Sequence, residues 1–321
     1  MISRGLVWGV LTLAVAVSLP VFRHGPRLSA APEARPLSKT LNFAGTRRAL
    51  IICGHPGDKA HRKPFAETVE KLREALIERY GFAAADVHVQ FGGPLAEGEG
   101  PVLSGVRGGA TRDEIEAEVG LLREALKPQD TLWVIVMGHS HYDGKHSHLN
   151  IPGPDINEQD FAKLFAGLEA REQVFFMTIP ASGFYIKPLS AKGRVVISAT
   201  EADLEVNETL YPLALAEVLA APPPAAEFDA DHDGALTLFD LYIAVARNVA
   251  QRYVSDENLP TEHSLLDDNG DGRGSEVQLD YLTVEQGGRA KGKKPAGPIR
   301  ETADGALSSR IMLPAAPAKE P

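Results

Sequence analysis

The sequence contains almost no cysteine and no excess of basic residues. Cys53 is the only cysteine among 321 residues, so the chain can form neither an intramolecular disulfide nor a thiolate metal cluster. Lysine and arginine together number 33 against 43 aspartates and glutamates, which gives a net charge of −10. Nucleic acids and anionic membrane surfaces both require a basic face, so this balance excludes them as general partners. The composition suits a soluble protein, or one that holds cations.

Long apolar runs are scarce except near the N-terminus, where residues 5–22 carry no charged side chain. Such a run predicts either a cleaved export signal or a retained membrane anchor. Both interpretations stay open, because the small residues at 29–31 that would form a cleavage site are followed by Pro32. Either one predicts an exported protein, periplasmic, extracellular or anchored, that meets the membrane only through residues 1–22. Residues 23–47 are predicted to be a linker.

Short apolar strands alternate with amphipathic helices over residues 48–220. The predicted strands lie at residues 48–54, 87–91, 132–137, 173–178 and 194–199. This alternation predicts βαβ units, and therefore an α/β fold with a mostly parallel sheet covered by helices on both faces. No glycine-rich phosphate loop follows the first strand and opens a helix.

Two strands of this predicted sheet end in segments that carry chemistry. The strand at 132–137 runs into GHSHYDG, and the strand at 173–178 runs into IPASG. In open parallel sheets, ligands bind beyond the C-terminal ends of the strands, so His139 and Ser182 are expected at one edge. A histidine that faces a small nucleophile is the arrangement of a hydrolase dyad.

The histidine-rich stretch after residue 138 has two other interpretations. One is a transition-metal site, because three or four nitrogen and oxygen ligands close together can hold zinc. The other is that these side chains only cap a strand and solvate a loop. The residues concerned are His139, His141, Asp143, His146 and His148.

Four segments carry a resemblance to a known family. They are ALIICG at the first strand, ATRDEI before the second helix, WVIVMGH at His139, and FFMTIPASG at the fourth strand. Over residues 48–219 they resemble the legumain-like cysteine peptidases of the caspase fold. The resemblance implies a caspase-like three-layer sandwich, and it places the family's catalytic histidine at His139. It places the nucleophilic cysteine at Pro180.

Proline offers no nucleophile, so the resemblance implies the scaffold without the peptidase chemistry. Cys53 does not replace the missing thiol, because it falls within the first strand. The sequence therefore favours a noncatalytic module that binds a peptide or protein at the strand-end pocket. One alternative is an active hydrolase that uses His139 with Ser182 or with a bound metal. Another is a purely structural envelope protein.

The acidic region after residue 226 carries a twelve-residue motif at residues 229–240, DADHDGALTLFD. It matches the EF-hand calcium loop, in which oxygen ligands alternate along the loop and a glycine at the sixth position permits a sharp turn. With three prolines before it and a helix predicted over 238–253 after it, the unit resembles the loop–helix half of dockerin-type repeats. Leu236, at the eighth position, is expected to pair with a second loop. The predicted calcium (Ca2+) ligands are Asp229, Asp231, Asp233, the Ala235 carbonyl, Thr237 and Asp240.

Residues 267–278, DDNGDGRGSEVQ, form a weaker second match to the same loop. Its last position is a glutamine, a poor ligand, so a nearby acid, Glu276 or Asp280, is expected to substitute. The predicted ligands are Asp267, Asn269, Asp271, the Arg273 carbonyl, and Glu276 or Gln278. Residues 227–285 are thus predicted to be a small α-helical calcium-loop appendage. Residues 286–321 are predicted to be a disordered tail.

Overall fold

The computed structural model describes residues 45–93, 103–203, 205–289, 299 and 302–314. The predicted export segment at 1–22 and nearly all of the predicted linker lie outside the described residues. Among the helices that are described, none combines the length and the apolarity needed to cross a membrane.

Strands and helices alternate along the described chain, as the sequence predicts. The first part contains β1 (Arg47–Cys53), α1 (Lys59–Arg79), β2 (Val87–Phe91), β3 (Val106–Gly108), α2 (Arg112–Ala125) and β4 (Thr131–Met137). Next come β5 (Ser140–Tyr142), β6 (Ser147–Leu149), β7 (Ile156–Asn157), α3 (Glu158–Leu164), β8 (Glu172–Met177), α4 (Ile186–Leu189) and β9 (Arg194–Ser198). The chain continues through α5 (Tyr211–Ala220), α6 (Ala225–Phe228), α7 (Leu238–Ser255) and β10 (Leu265–Asp267).

A seven-stranded sheet forms the centre, in the order β10-β9-β8-β4-β1-β2-β3. Its neighbours are parallel except for β10, which runs antiparallel to β9. Successive side chains of a strand point to opposite faces, which divides the core in two. Ile51 and Ile135 pack with α1, α5 and α7, whereas Ile52 and Val136 pack with α2 and α3. The predicted α/β fold with a mostly parallel sheet is confirmed.

The segment after His139 is folded into strands rather than a loop. β5, β6 and β7 form a separate antiparallel sheet in that order. Its register pairs His141 with His148, directly across β5 and β6. This small sheet rises from the C-terminal end of β4 and therefore borders the predicted strand-end site.

The region at 227–285, predicted to be a calcium-loop appendage, packs directly on the α/β layer. All described residues fall in one compact unit, and β10 extends the central sheet by pairing Leu266 with Ile197. Helix α7 is apolar along the side that meets α5, so Leu241 and Val245 are buried in the same core. The region is not purely helical, because it contributes the strand β10. It is not separate either, because its apolar residues are buried against the α/β layer.

The prediction of a disordered tail is wrong for residues 302–314. Ile311 and Leu313 are buried in the core, and Ser308–Arg310 forms a short 3-10 helix. A backbone bridge joins Met312 to Thr237. The polar composition that suggested disorder hides two apolar residues spaced to meet the region around Thr237.

Candidate metal centre and strand-end site

The first loop gathers the carboxylates of Asp229, Asp231 and Asp233. One oxygen from each lies within 4.8 Å of the others, a spacing that can hold a metal ion. Among the described residues this is the only set of three histidine, cysteine, aspartate or glutamate side chains with ligand atoms that close. The backbone N–H of Gly234 donates to Asp229 at 3.0 Å, and that of Ala235 donates to Asp233 at 2.7 Å. These bonds fold the loop so that its side-chain oxygens converge.

The carboxylates of this loop affect one another's ionisation. Burial, reinforced by the charges of Asp233 and Asp240, raises the pKa of Asp231 to about 6. Burial also raises the pKa of Asp240. Ionised carboxylates this close repel one another, so a bound cation would favour the ionised loop.

Asp240 and Thr237, predicted as ligands, are engaged with the backbone instead. Asp240 is fully buried, and its carboxylate accepts from the N–H of Ala230 at 2.7 Å and of Thr237 at 2.8 Å. Together the two side chains form the capping box that begins α7. The group of converging carboxylates does not include Asp240. The helix start therefore uses oxygens that the loop pattern assigns to the cation.

The second loop repeats three hydrogen bonds of the first at equivalent positions. Gly272 donates to Asp267 at 3.1 Å, Asp271 donates to Asn269 at 2.8 Å, and Arg273 donates to Asp271 at 2.8 Å. In each bond a backbone N–H meets a side-chain oxygen. The predicted equivalence of the two loops therefore holds in their backbone geometry.

Both loops also share two left-handed backbone positions. The fourth residue has a φ of 61° at His232 and 77° at Gly270, and the sixth has 85° at Gly234 and 76° at Gly272. Glycine adopts such angles at little cost, whereas histidine does so only when its surroundings impose the turn. The same turn is thus built twice from different residues.

Two further predicted ligands of the second loop, Gln278 and Glu276, have contacts outside the loop. The Tyr242 hydroxyl donates to the Gln278 side chain, whose amide donates to the Ser264 carbonyl at 2.9 Å. Glu276 lies 4.0 Å from Arg289. The Gln278 side chain is therefore engaged by other groups, whereas Glu276 stays a predicted ligand.

Sequence reasoning missed Asp304, which comes from the predicted tail. Its carboxylate accepts from the backbone N–H of Asp268 at 3.3 Å and from the Ser275 hydroxyl. Burial, followed by the charges of Asp267 and Asp268, raises the pKa of Asp304 to about 6. No local pattern marks this residue, because it reaches the loop from 36 positions away along the chain.

The C-terminal segment 302–314 contacts both loops. Leu313 donates to the Leu236 carbonyl at 2.9 Å, and Leu238 donates to the Ile311 carbonyl at 2.8 Å. The expectation that Leu236 pairs with the second loop is therefore wrong, because this segment occupies the pairing edge. At the second loop, Asp268 accepts from the Ser308 backbone and hydroxyl, each at 2.7 Å.

The two strand ends singled out from the sequence do lie together. The Ser140 hydroxyl donates to the Pro180 carbonyl at 2.6 Å, which joins the end of β4 to the segment after β8. His139 is half-buried, with its Nε2 3.2 Å from the Pro56 carbonyl. Its ring centroid lies 4.8 Å from that of His61 and 5.1 Å from that of Phe65.

The alternative of a dyad between His139 and Ser182 gains no support, because the serine is engaged by other groups. The serine is fully buried, and its hydroxyl accepts from the N–H groups of Ala199 at 3.0 Å and Thr200 at 3.1 Å. It holds the segment after β8 to the end of β9. Cys53 is fully buried in β1 as predicted, and burial raises the pKa of its thiol.

The histidine-rich stretch forms separate pairs rather than one ligand set. His141 contacts Asn150 at 2.8 Å, His148 contacts Asp143 at 3.0 Å, and His146 contacts Glu158 at 2.8 Å. The rings of His141 and His148 stack with centroids 4.9 Å apart. The metal interpretation of this stretch gains no support, because each ring is turned toward its own acceptor and His139 lies among other residues.

A second acid–histidine group beside His139 was not predicted. Asp58 caps α1, and its carboxylate also accepts from His61 Nδ1 at 2.8 Å. Glu208 lies 3.5 Å from His61 Nε2. The Asp58 hydrogen bond, with a contribution from Glu208, raises the pKa of His61. The capping aspartate three residues before a histidine was a detectable signal, whereas the approach of Glu208 was not.

No family model matches this sequence, and no curated protein matches it.

Proposed function

We propose that the protein binds calcium through the loop at 229–240, with a second site at 267–278, and that calcium stabilises this end of the α/β unit. The observation that carries the proposal is the shared geometry of the two loops, together with the converging carboxylates of Asp229, Asp231 and Asp233. Two unrelated acidic turns have no physical reason to repeat the same hydrogen bonds and left-handed positions.

The ligand chemistry favours calcium over other divalent ions. The converging side chains offer only oxygen, which excludes the nitrogen and sulfur ligands that transition metals prefer. An irregular loop also suits calcium better than magnesium, which demands a near-ideal octahedron. In an exported protein a weak site suffices, with a dissociation constant on the order of 10⁻⁴ M.

We infer that the α/β part serves as a noncatalytic binding module with a legumain-like or caspase-like scaffold, exported under the direction of residues 1–22. Three features support the absence of peptidase chemistry. Pro180 stands at the expected nucleophile position, the Ser182 hydroxyl is taken up by backbone N–H groups, and Cys53 is buried. An active hydrolase would need a nucleophile free to meet His139.

Calorimetric titration with calcium, paired with thermal unfolding, tests the calcium proposal. The test variant is Asp229→Asn plus Asp233→Asn, which keeps the oxygens that close the turn and removes two charges. We expect the natural protein to release or absorb heat and to gain melting temperature in millimolar calcium, because the ion binds the folded form. The variant should lose most of both responses. The control is Glu116→Gln plus Glu124→Gln, two exposed acids on α2. Natural protein without calcium heat or a melting shift would refute the proposal.

A further inference from the structure

A groove of about 420 Å³ lies between the second loop and the segment that follows β8. Its apolar lining comes from Phe184, Ile186, Pro188 and Leu265. Glycines at 183, 272 and 274 contribute backbone without side chains, which leaves the apolar surface open. A volume of this size suits a short extended segment rather than a whole folded element.

The charged side chains of the groove are unequal in availability. Lys187 and Arg273 are exposed, and neither has an ion-pair partner among the described residues. Glu158, the acidic lining residue, is buried, and its two carboxylate oxygens contact His146 Nδ1 at 2.8 Å and the Ser147 N–H at 3.0 Å. The groove therefore offers two unpaired cations beside an apolar floor, in a protein whose net charge is −10.

The second loop forms one wall of this groove. Gly272 lies against Lys187, so that a side chain added there would meet the lysine at 3.6 Å. One acidic side chain of this wall belongs to the loop itself, where Asp271 accepts from the Arg273 N–H. A cation in the loop would offset the loop's negative charge and so strengthen the positive field of Lys187 and Arg273.

We propose that this groove binds a short acidic peptide segment of a partner protein, with an apolar side chain on the Phe184 floor and a carboxylate between Lys187 and Arg273. Charge complementarity and the size of the groove select this occupant. The proposal thus gives the binding module a class of partner. It rests on the proposed function in one respect, which is that calcium in the second loop strengthens the positive field of the groove. The part of the chain after β8 that lines the groove lies beside Pro180. The groove therefore continues the edge of the sheet at which ligands of parallel sheets bind.

Fluorescence anisotropy tests the groove with a labelled peptide, Asp-Glu-Leu-Phe-Asp amide, against its uncharged counterpart, Asn-Gln-Leu-Phe-Asn amide. We expect saturable binding of the acidic peptide in millimolar calcium and at least tenfold weaker binding of the uncharged one. Lys187→Glu, which lies outside the loop, and Arg273→Glu should each weaken binding about tenfold, equivalent to about 1.4 kcal/mol. The control, Lys63→Glu plus Lys145→Glu, reverses two exposed lysines elsewhere and should bind normally.

Calorimetry on the same samples separates the two proposals. If calcium binds to every variant and the acidic peptide binds to none, including the natural protein, the groove proposal is overturned and the calcium proposal stands. Equal peptide binding by the natural protein and Lys187→Glu would also overturn it, as would equal weakening by the control. Melting curves confirm that each variant is folded. Peptide binding that calcium strengthens and Lys187→Glu removes supports the groove.

Discussion

Glu205 ties His263 to the strand-end segment. Its carboxylate accepts from both the backbone N–H of His263, at 3.0 Å, and the imidazole Nδ1 of the same residue. Its backbone carbonyl accepts from the Ala181 N–H at 2.8 Å. One residue therefore connects the chain before the second loop with the chain beside Pro180, so a change at the loops has a short physical route to the strand ends.

This pair predicts a window of pH in which it stabilises the fold. The hydrogen bond from Glu205 raises the pKa of His263. Burial opposes ionisation of Glu205, but the bonds from His263 and the Glu201 N–H outweigh it and lower its pKa. A histidine whose pKa is raised by folding stabilises the fold below its unfolded pKa of about 6.5. A glutamate whose pKa is lowered by folding stabilises it above its unfolded pKa of about 4.3. The contribution of the pair is therefore greatest between those values.

Glu205→Gln should therefore lower stability most near pH 5.5, and less as the pH rises through the raised pKa of His263. The loss should be about 1 kcal/mol, because the His263 side chain is 41% exposed and solvent screens the pair. Denaturant unfolding across this pH range measures it, with Glu116→Gln as the control. A difference that does not change with pH would contradict the role assigned to the ion pair.

Ser182→Ala tests the structural role of that hydroxyl. Removing it leaves the buried N–H group of Thr200 without its acceptor, whereas that of Ala199 keeps the Met177 carbonyl at 2.9 Å. We therefore expect a loss of about 1–2 kcal/mol in unfolding free energy. We expect no change in any background hydrolysis of peptides at asparagine or aspartate. Ser255→Ala, at an exposed site, should be neutral. Hydrolysis that disappears in both Ser182→Ala and His139→Ala would restore the dyad.

The sheet could be predicted from the sequence because its strands are buried on both faces. The predicted strand at 87–91 coincides with β2, and the apolar run ending at Met137 corresponds to β4. Short continuous apolar runs are typical of parallel strands that are buried on both faces. The adjacency of the two strand ends, where Ser140 contacts Pro180, followed from strand order. The orientation of Ser182 did not, because it depends on the loop after β9 and not on any local pattern.

The loops show the same division between local and distant information. Turn residues at fixed spacing predicted the backbone of both loops, because each hydrogen bond joins residues two to five positions apart. The contact of Asp304 with the second loop cannot be predicted from any such local spacing. Asp240 matched the motif, yet its burial beneath α7 assigns its oxygens to the helix start.

Glu262 predicts a second, opposite dependence on pH. Its buried carboxylate accepts from the Leu210 N–H at 2.8 Å and the Tyr211 N–H at 3.2 Å, where α5 begins. Burial outweighs these bonds and raises the pKa of Glu262 to about 7. A carboxyl group whose pKa is raised by folding stabilises the fold below its unfolded pKa, and that stability is lost as the pH rises through 7.

Glu262→Gln should remove this dependence, which amounts to about 3 kcal/mol between pH 4.5 and pH 8. The natural protein should exceed the variant in stability at low pH and lose that advantage toward pH 8. Urea unfolding at a series of pH values measures the difference. Parallel curves for the two proteins would show that Glu262 ionises normally.

Truncation of the chain decides whether residues 302–314 are part of the fold. A protein ending at residue 301 loses the buried side chains of Ile311 and Leu313, each of which contributes roughly 1.5–3 kcal/mol. It also loses the bonds by which this segment holds Asp268 and the edge at Leu236. We therefore expect a loss of at least about 3 kcal/mol and weaker calcium binding at both loops. A protein ending at residue 314 keeps all these contacts and serves as the control. Equal melting temperatures would mean that the segment contributes nothing to the fold, whereas a lower value for the shorter protein alone would establish that it fastens the two loops to the sheet.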